Sequence, residues 1–99
     1  MKRFVLALFS GMLLLNAVPH LVKGICGDTH MTPFAVNSAA LVNVIWAWIN
    51  LIAGGLLLKS SEPKSWTSSL WAAFCLGGIV ISIWLAIFWS NPDARLPWH

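Results

Sequence analysis

Three long stretches of the chain contain no charged residue, at positions 4–22, 29–58 and 65–92. A helix needs roughly 20 mostly apolar residues to cross about 30 Å of hydrocarbon, and each stretch supplies them once its polar ends are trimmed. The stretches lack both the polar face of a soluble helix and the strict alternation of a membrane β-strand. We therefore predict an all-α membrane protein that forms a single transmembrane domain over residues 1–99. The predicted helices span about 3–22, 34–58 and 66–90.

The residues that flank the stretches indicate where helices begin and end. Gly24 is suited to closing the first helix, because glycine readily adopts the left-handed conformation found after a helix end. Thr32 and Pro33 are typical of a helix start, since threonine caps a helix and proline is favoured in its first turn. Asn37 or Ser38 would instead cap a later start. The sequence thus allows two possible starts for the second helix.

Loops connect the helices at the two ends of the predicted bundle, an outer loop over 23–33 and an inner loop over 59–65. Because the inner loop is short, we expect the second and third helices to form an antiparallel hairpin. The N-terminal Met-Lys-Arg and the following apolar residues also fit a secretory signal peptide. The region around Ala17 and Val18 lacks a small-x-small cleavage pattern, so we expect the segment to be retained as a membrane anchor.

The few charges predict the orientation of the helices. Charged residues make up 9% of the chain against 59% hydrophobic residues, and the formal net charge is +3. Lys and Arg are enriched in cytoplasmic loops of membrane proteins. Four of them fall at one end of the predicted bundle and two at the other: Lys2, Arg3, Lys59 and Lys64 against Lys23 and Arg95. We therefore predict a cytoplasmic N-terminus and a periplasmic or extracellular C-terminus.

Small and amide side chains recur at helical spacing on the second and third helices. Asn43, Ala47, Asn50 and Gly54 form one stripe on the second helix. A second stripe, on the third helix, contains Gly78, Ser82 and Ala86. Small residues let membrane helices approach closely, and amides hydrogen-bond between helices, so both stripes are predicted to be packing surfaces. These surfaces would pack against helices of the same chain, of a second copy or of another membrane protein.

Polar and aromatic residues near the predicted outer end suggest a binding pocket. Asn16 and His20 are four residues apart and share one face of the first helix, at a depth comparable to the start of the second helix. Tryptophans in the second helix would provide an aromatic wall for a flat or lipid-like ligand. The candidate ligand-binding residues are Asn16, His20, Asn37, Asn43, Trp46 and Trp48. The alternative is that the amides connect helices and the tryptophans only pack or face lipid.

The outer loop also contains three side chains able to bind a metal ion, Cys26, Asp28 and His30. Their alternating spacing is not a standard zinc motif, so an ordinary tight loop is the competing interpretation. No Asp, Glu, Lys or Arg lies within a predicted span, which disfavours a proton-driven pump. The chain also lacks a nucleophile paired with a base, a phosphate-binding glycine loop and a nucleic-acid surface. We therefore expect no catalytic residues, no cofactor and no nucleic-acid partner.

The run Asn16-Ala-Val-Pro-His20, followed by Gly24, Gly27, Thr32-Pro-Phe34 and Asn43-Val-Ile-Trp46, resembles a group of small bacterial three-helix inner-membrane proteins. The resemblance covers about the first half of the chain. It implies a location in the bacterial inner membrane. That group carries no known activity, so the resemblance assigns no role to any residue.

Two functions are compatible with these features. The first is a non-enzymatic membrane protein that acts by association with itself, with another membrane protein or with lipid through the stripes of small and amide residues. The alternative is an oligomeric binding or transport unit with an outward-facing polar and aromatic pocket for a small or lipid-like ligand. The two differ in whether the amides join helices or face a ligand.

Overall fold

Three α-helices account for most of the chain in the computed structural model, which describes residues 1–99. The helices are α1 (Lys2–Ile25), α2 (Ala40–Ser60) and α3 (Ser68–Trp89). All three are long and apolar enough to cross a membrane, with mean hydropathies of 1.9, 1.9 and 2.3 in their most apolar windows. The predicted all-α three-helix class is confirmed. Pro19 lies inside α1 without ending it, so that this helix continues to Ile25.

The segment between α1 and α2 is not a plain loop but a short antiparallel β-hairpin of β1 (His30–Thr32) and β2 (Ala35–Ser38). The hydroxyl of Thr32 accepts a hydrogen bond from the Phe34 N–H at 3.1 Å and lies 2.6 Å from the Ser38 hydroxyl. Thr32 and Pro33 therefore form a turn instead of starting a helix. As a consequence α2 begins at Ala40 and not near residue 34.

Helix α1 lies between the other two helices and packs against both, whereas α2 and α3 hardly touch each other. The predicted hairpin of α2 and α3 is not confirmed as a packing unit, although a short connection with a 3₁₀ turn at Pro63–Ser65 joins them. Glycines allow the close approach between α1 and α3. A Cβ on Gly11 would overlap the Phe74 carbonyl oxygen, and one on Gly77 would overlap that of Leu8. The order of packing is thus α2, α1, α3.

The predicted packing stripe of α2 is the surface that contacts α1. Its four members are all buried: Asn43, Ala47, Asn50 and Gly54. On α3 only Gly78 of the predicted stripe is buried within the chain, whereas Ser82 and Ala86 are exposed. The Ser82 hydroxyl donates to the Gly78 carbonyl within the same helix. The buried face of α3 consists instead of Leu70, Ala73, Gly77 and Gly78.

The N-terminus of α1 is joined to the connection between α2 and α3. The Arg3 guanidinium donates hydrogen bonds to the carbonyl oxygens of Ser61 and Glu62 and to the Ser65 hydroxyl. The Trp66 indole N–H also donates to the Ser61 carbonyl at 3.1 Å. The Ser61 carbonyl, at the residue that follows α2, has no backbone partner, and the side chains of Arg3 and Trp66 satisfy it. This end of the bundle is therefore closed by side chains.

Candidate ligand-binding site

A cavity of about 170 Å³ lies at the opposite end of the bundle, where α1 and α3 end and α2 begins. The hairpin and the segment after α3 complete its wall. No charged residue lines it, and most of its lining is apolar or aromatic. The lining residues are Asn16, His20, Met31, Thr32, Pro33, Trp46, Trp84, Leu85, Phe88, Trp89 and Leu96.

Asn43 does not line the cavity itself but joins α1, α2 and the hairpin next to it. Its side chain is fully buried, and its Nδ2 donates to the carbonyl oxygens of His30 at 3.0 Å, Ser38 at 3.1 Å and Ala39 at 3.2 Å. Its Oδ1 lies 2.8 Å from Nδ1 of His20. Because Nδ2 faces three acceptors, Oδ1 must be the acceptor in the pair with His20. Asn43 therefore fixes the orientation of the imidazole.

A second amide pair lies one to two turns further into the bundle. Nδ2 of Asn50 donates to the Trp46 carbonyl at 2.9 Å, which leaves its Oδ1 to accept a hydrogen bond from Nδ2 of Asn16 at 3.1 Å. Ser10 on α1 extends the polar contacts, since its hydroxyl donates to the Gly54 carbonyl at 2.9 Å. The polar residues of α2 are thus paired within the chain.

Aromatic rings contact one another in series around the cavity. The ring centroids of His20 and His30 are 5.2 Å apart, those of His30 and Trp89 4.3 Å, and those of Trp89 and Phe88 5.0 Å. Trp84 stacks on Phe88 with centroids 5.0 Å apart. Two enclosed atoms in this series lack a hydrogen-bond partner, Nε2 of His30 and Nε1 of Trp89. Enclosed polar atoms without partners are rare in folded proteins.

The segment after α3 folds back over the hairpin. The Trp98 indole N–H donates to the Pro33 carbonyl at 2.6 Å. Nδ1 of His99 accepts a hydrogen bond from the Leu96 N–H at 3.0 Å, so its Nε2 carries the proton and donates to the Thr32 carbonyl at 2.9 Å. Leu96 thereby becomes part of the cavity wall. This segment is thereby held against the hairpin, beside the cavity.

The structure brings together four of the six predicted ligand-binding residues. Asn16, His20 and Trp46 line the cavity, and Asn43 holds His20 through a hydrogen bond. Trp48 is about half exposed on the outer side of α2, and Asn37 is exposed on β2; neither lines the cavity. The sequence did not predict the cavity-lining residues of α3 and of the segment after α3. The i, i+4 spacing of Trp84 and Phe88 was the available signal for an aromatic face on α3.

The three predicted metal ligands do not converge. Cys26 and Asp28 are exposed, whereas His30 faces the interior beside His20 and Trp89. No three side chains of His, Cys, Asp or Glu lie close enough together to hold a metal ion. Cys26 and Cys75 are both free thiols on the surface. The outer loop thus has the geometry of a turn, in which Gly27 takes a positive φ of 77°.

The environment of His30 makes the stability of the hairpin depend on pH. Burial, and after it the charges of His20 and Lys23, lowers the pKa of His30 below its ordinary value of 6.5. Between the folded and the ordinary pKa the unfolded chain binds more protons, so stability is complete above about pH 6.5 and falls as the pH decreases. We expect the Tm to drop between pH 7.5 and 5, and to drop less in His30→Gln. Circular dichroism in detergent measures this, and an equal drop in both proteins would contradict the assignment.

No protein-family model, curated protein or solved structure matches this chain.

Proposed function

We propose that the chain is a multi-pass protein of the bacterial inner membrane with three transmembrane helices, a cytoplasmic N-terminus and the cavity at the outer end. The lengths and hydropathies of the helices support the three spans. The chain alternates direction from α1 to α2 to α3, so Lys2, Arg3, Lys59 and Lys64 share one end of the bundle. The excess of cations at that end supports its assignment to the cytoplasmic side.

The function that we propose is the non-covalent binding of a small or lipid-like molecule at the outer end of the bundle. The cavity of about 170 Å³ is the observation that carries this proposal. A mostly apolar, aromatic concavity with a few oriented polar groups is the usual form of a small-molecule site. Asn16 and His20 provide the polar groups, and Trp46, Trp84 and Trp89 provide the aromatic wall. A single protein of this kind would act as a binding subunit or as part of a transport unit.

Association with a second copy or another membrane protein is the second candidate. The amide stripe of α2 gives it little support, because Asn43 and Asn50 are paired inside the chain. The exposed residues of α3 favour it instead. A shallow groove between α1 and α3 is lined by Leu15, Phe74, Cys75, Gly78, Ile79, Ser82 and Ile83. Small residues in such a groove would admit a helix of another copy.

Native mass spectrometry of protein extracted gently from membranes tests the binding function. We expect a stoichiometric extra mass on the wild type, and we expect it to disappear in Trp46→Ala, which removes one wall of the cavity. Trp48→Ala is the matched control, since Trp48 lies on the same helix but outside the cavity. A dimer without bound small molecule, unchanged by both substitutions, would favour the association function instead.

A further inference from the structure

The two polar residues that line the cavity from α1 both face it with a hydrogen-bond acceptor. Oδ1 of Asn43 accepts from Nδ1 of His20, so the neutral imidazole keeps its lone pair on Nε2. Nδ2 of Asn16 donates to Asn50, so Oδ1 of Asn16 has no protein partner. The only enclosed polar side-chain atoms without partners are His30 Nε2 and Trp89 Nε1, so both of these α1 atoms keep accessible surface. They are separated by one helical turn.

The charge of the site excludes an ionic partner for these acceptors. No Asp or Glu lines the cavity, so neither an imidazolium at His20 nor a cationic ligand would find a counter-charge there. Lys23 is close enough to act on His30, which further disfavours a bound cation. The group that fits Nε2 of His20 and Oδ1 of Asn16 is therefore a neutral hydrogen-bond donor.

The size of the cavity and the chemistry of neutral donors define the ligand further. The side chain of Trp89 lines the cavity, whereas its indole N–H is enclosed and has no surface from which to reach a ligand. A hydroxyl donates one hydrogen bond and also accepts, whereas an ammonium group only donates. A cavity of about 150 Å³ in another protein holds benzene, so about 170 Å³ accommodates one aromatic ring or a short alkyl segment.

Resting on the proposed binding function, we infer that the natural ligand enters the cavity with a neutral hydroxyl group on a ring-sized apolar body. The hydroxyl donates its one hydrogen bond to either Nε2 of His20 or Oδ1 of Asn16, and the apolar body lies against Trp46, Trp84 and Phe88. A phenolic compound and the hydroxyl end of a lipid-like alcohol share this chemistry.

Two fluorinated probes of nearly equal shape test the inference, 4-fluorophenol and 4-fluorotoluene. Their ¹⁹F resonances are followed with the full chain in lipid nanodiscs, and empty nanodiscs correct for partition into lipid. We expect saturable binding of 4-fluorophenol that is roughly tenfold tighter than that of 4-fluorotoluene, the factor that about one hydrogen bond provides. Either Asn16→Ala or His20→Ala should remove most of that difference, and Asn37→Ala, which changes an exposed amide outside the cavity, should preserve it.

The outcomes separate the two proposals. Equal saturable binding of both probes, lost in Trp46→Ala, would overturn the hydroxyl assignment and leave the binding site in place. Absence of saturable binding for either probe would overturn both the inference and the binding function at this cavity. A preference for 4-fluorophenol that persists in both Asn16→Ala and His20→Ala would place the hydroxyl elsewhere and contradict the inference. Short-chain and ring alcohols used as competitors then distinguish a phenolic ligand from a lipid-like alcohol.

Discussion

Gly77→Ala is expected to lower the free energy of unfolding by about 2 kcal/mol, the typical cost of overpacking a well-packed contact. The new methyl group would overlap the Leu8 carbonyl oxygen, and it would lie 2.9 Å from the carbonyl carbon and 3.2 Å from the Met12 nitrogen. All three atoms belong to the backbone of α1, which cannot move away as a flexible side chain would. The helices α1 and α3 must therefore separate, and the dispersion contacts on both sides of Gly77 weaken.

Gly55→Ala is the matched control for that substitution. Gly55 also lies in the interior of a long apolar helix, α2, but no atom lies within 4 Å of the position that its Cβ would occupy. Alanine favours a helix by about 1 kcal/mol over glycine at both positions, so Gly55→Ala should be neutral or stabilising. Unfolding in mixed micelles of mild detergent and SDS measures both. Equal effects of the two substitutions would show that helix propensity, and not the contact with α1, determines the result.

Hydropathy alone was sufficient to predict the number of helices and their approximate positions. The signal is strong because all three helices are mostly apolar on their buried and their exposed faces alike. The start of α2 was harder to predict, since Thr32 and Pro33 are equally good in a turn and at a helix start. What decides between them is the pairing of the Thr32 and Ser38 hydroxyls across the hairpin, which local propensity does not encode.

The rotation of each helix about its axis was the second feature that the sequence predicted only in part. On α2 a single stripe contained both amides and both small residues, and this stripe is buried against α1. On α3 the two adjacent glycines lie on different stripes, Gly77 in line with Ala73 and Gly78 in line with Ser82. Successive residues point about 100° apart around a helix, and spacing does not choose between the two directions. The backbone of α1 makes that choice through the contacts of Gly11 and Gly77.

The candidate site was predictable where its residues share a helix face, and not where distant segments meet. The i, i+4 spacing of Asn16 and His20 placed them together, and Trp46 faces the same space from α2. The other walls of the cavity come from α3 and from the segment around Leu96. They meet only when the segment around Leu96 folds back. Its hydrogen bonds go to the backbone carbonyls of Thr32 and Pro33. Backbone acceptors cannot be identified from the pattern of side chains in the sequence.

Asn43→Ala is expected to destabilise the protein by about 3 kcal/mol and to release the hairpin from the helices. The substitution leaves Nδ1 of His20 without its acceptor and the carbonyls of His30 and Ser38 without the Asn43 donor. Leaving a buried polar group unpaired costs about 1–3 kcal/mol, and the remaining groups recover part of this by bonding to water at the end of the bundle. The Ala39 carbonyl loses less, because it still accepts the helical hydrogen bond from the N–H of residue 43.

Hydrogen exchange resolves where that stability is lost. Backbone amides of β1 and β2 should exchange much faster in Asn43→Ala, while amides in the middle of α1 and α3 change only with the global stability. Asn37→Ala, which removes an exposed amide from β2 itself, should leave the exchange of both strands near the wild-type rate, since surface substitutions usually change stability by at most about 0.5 kcal/mol. Uniformly faster hydrogen exchange along the whole chain would show instead that Asn43 stabilises the bundle as a whole. Faster exchange confined to the strands would show that one amide holds the hairpin, and with it His20, in place over the cavity.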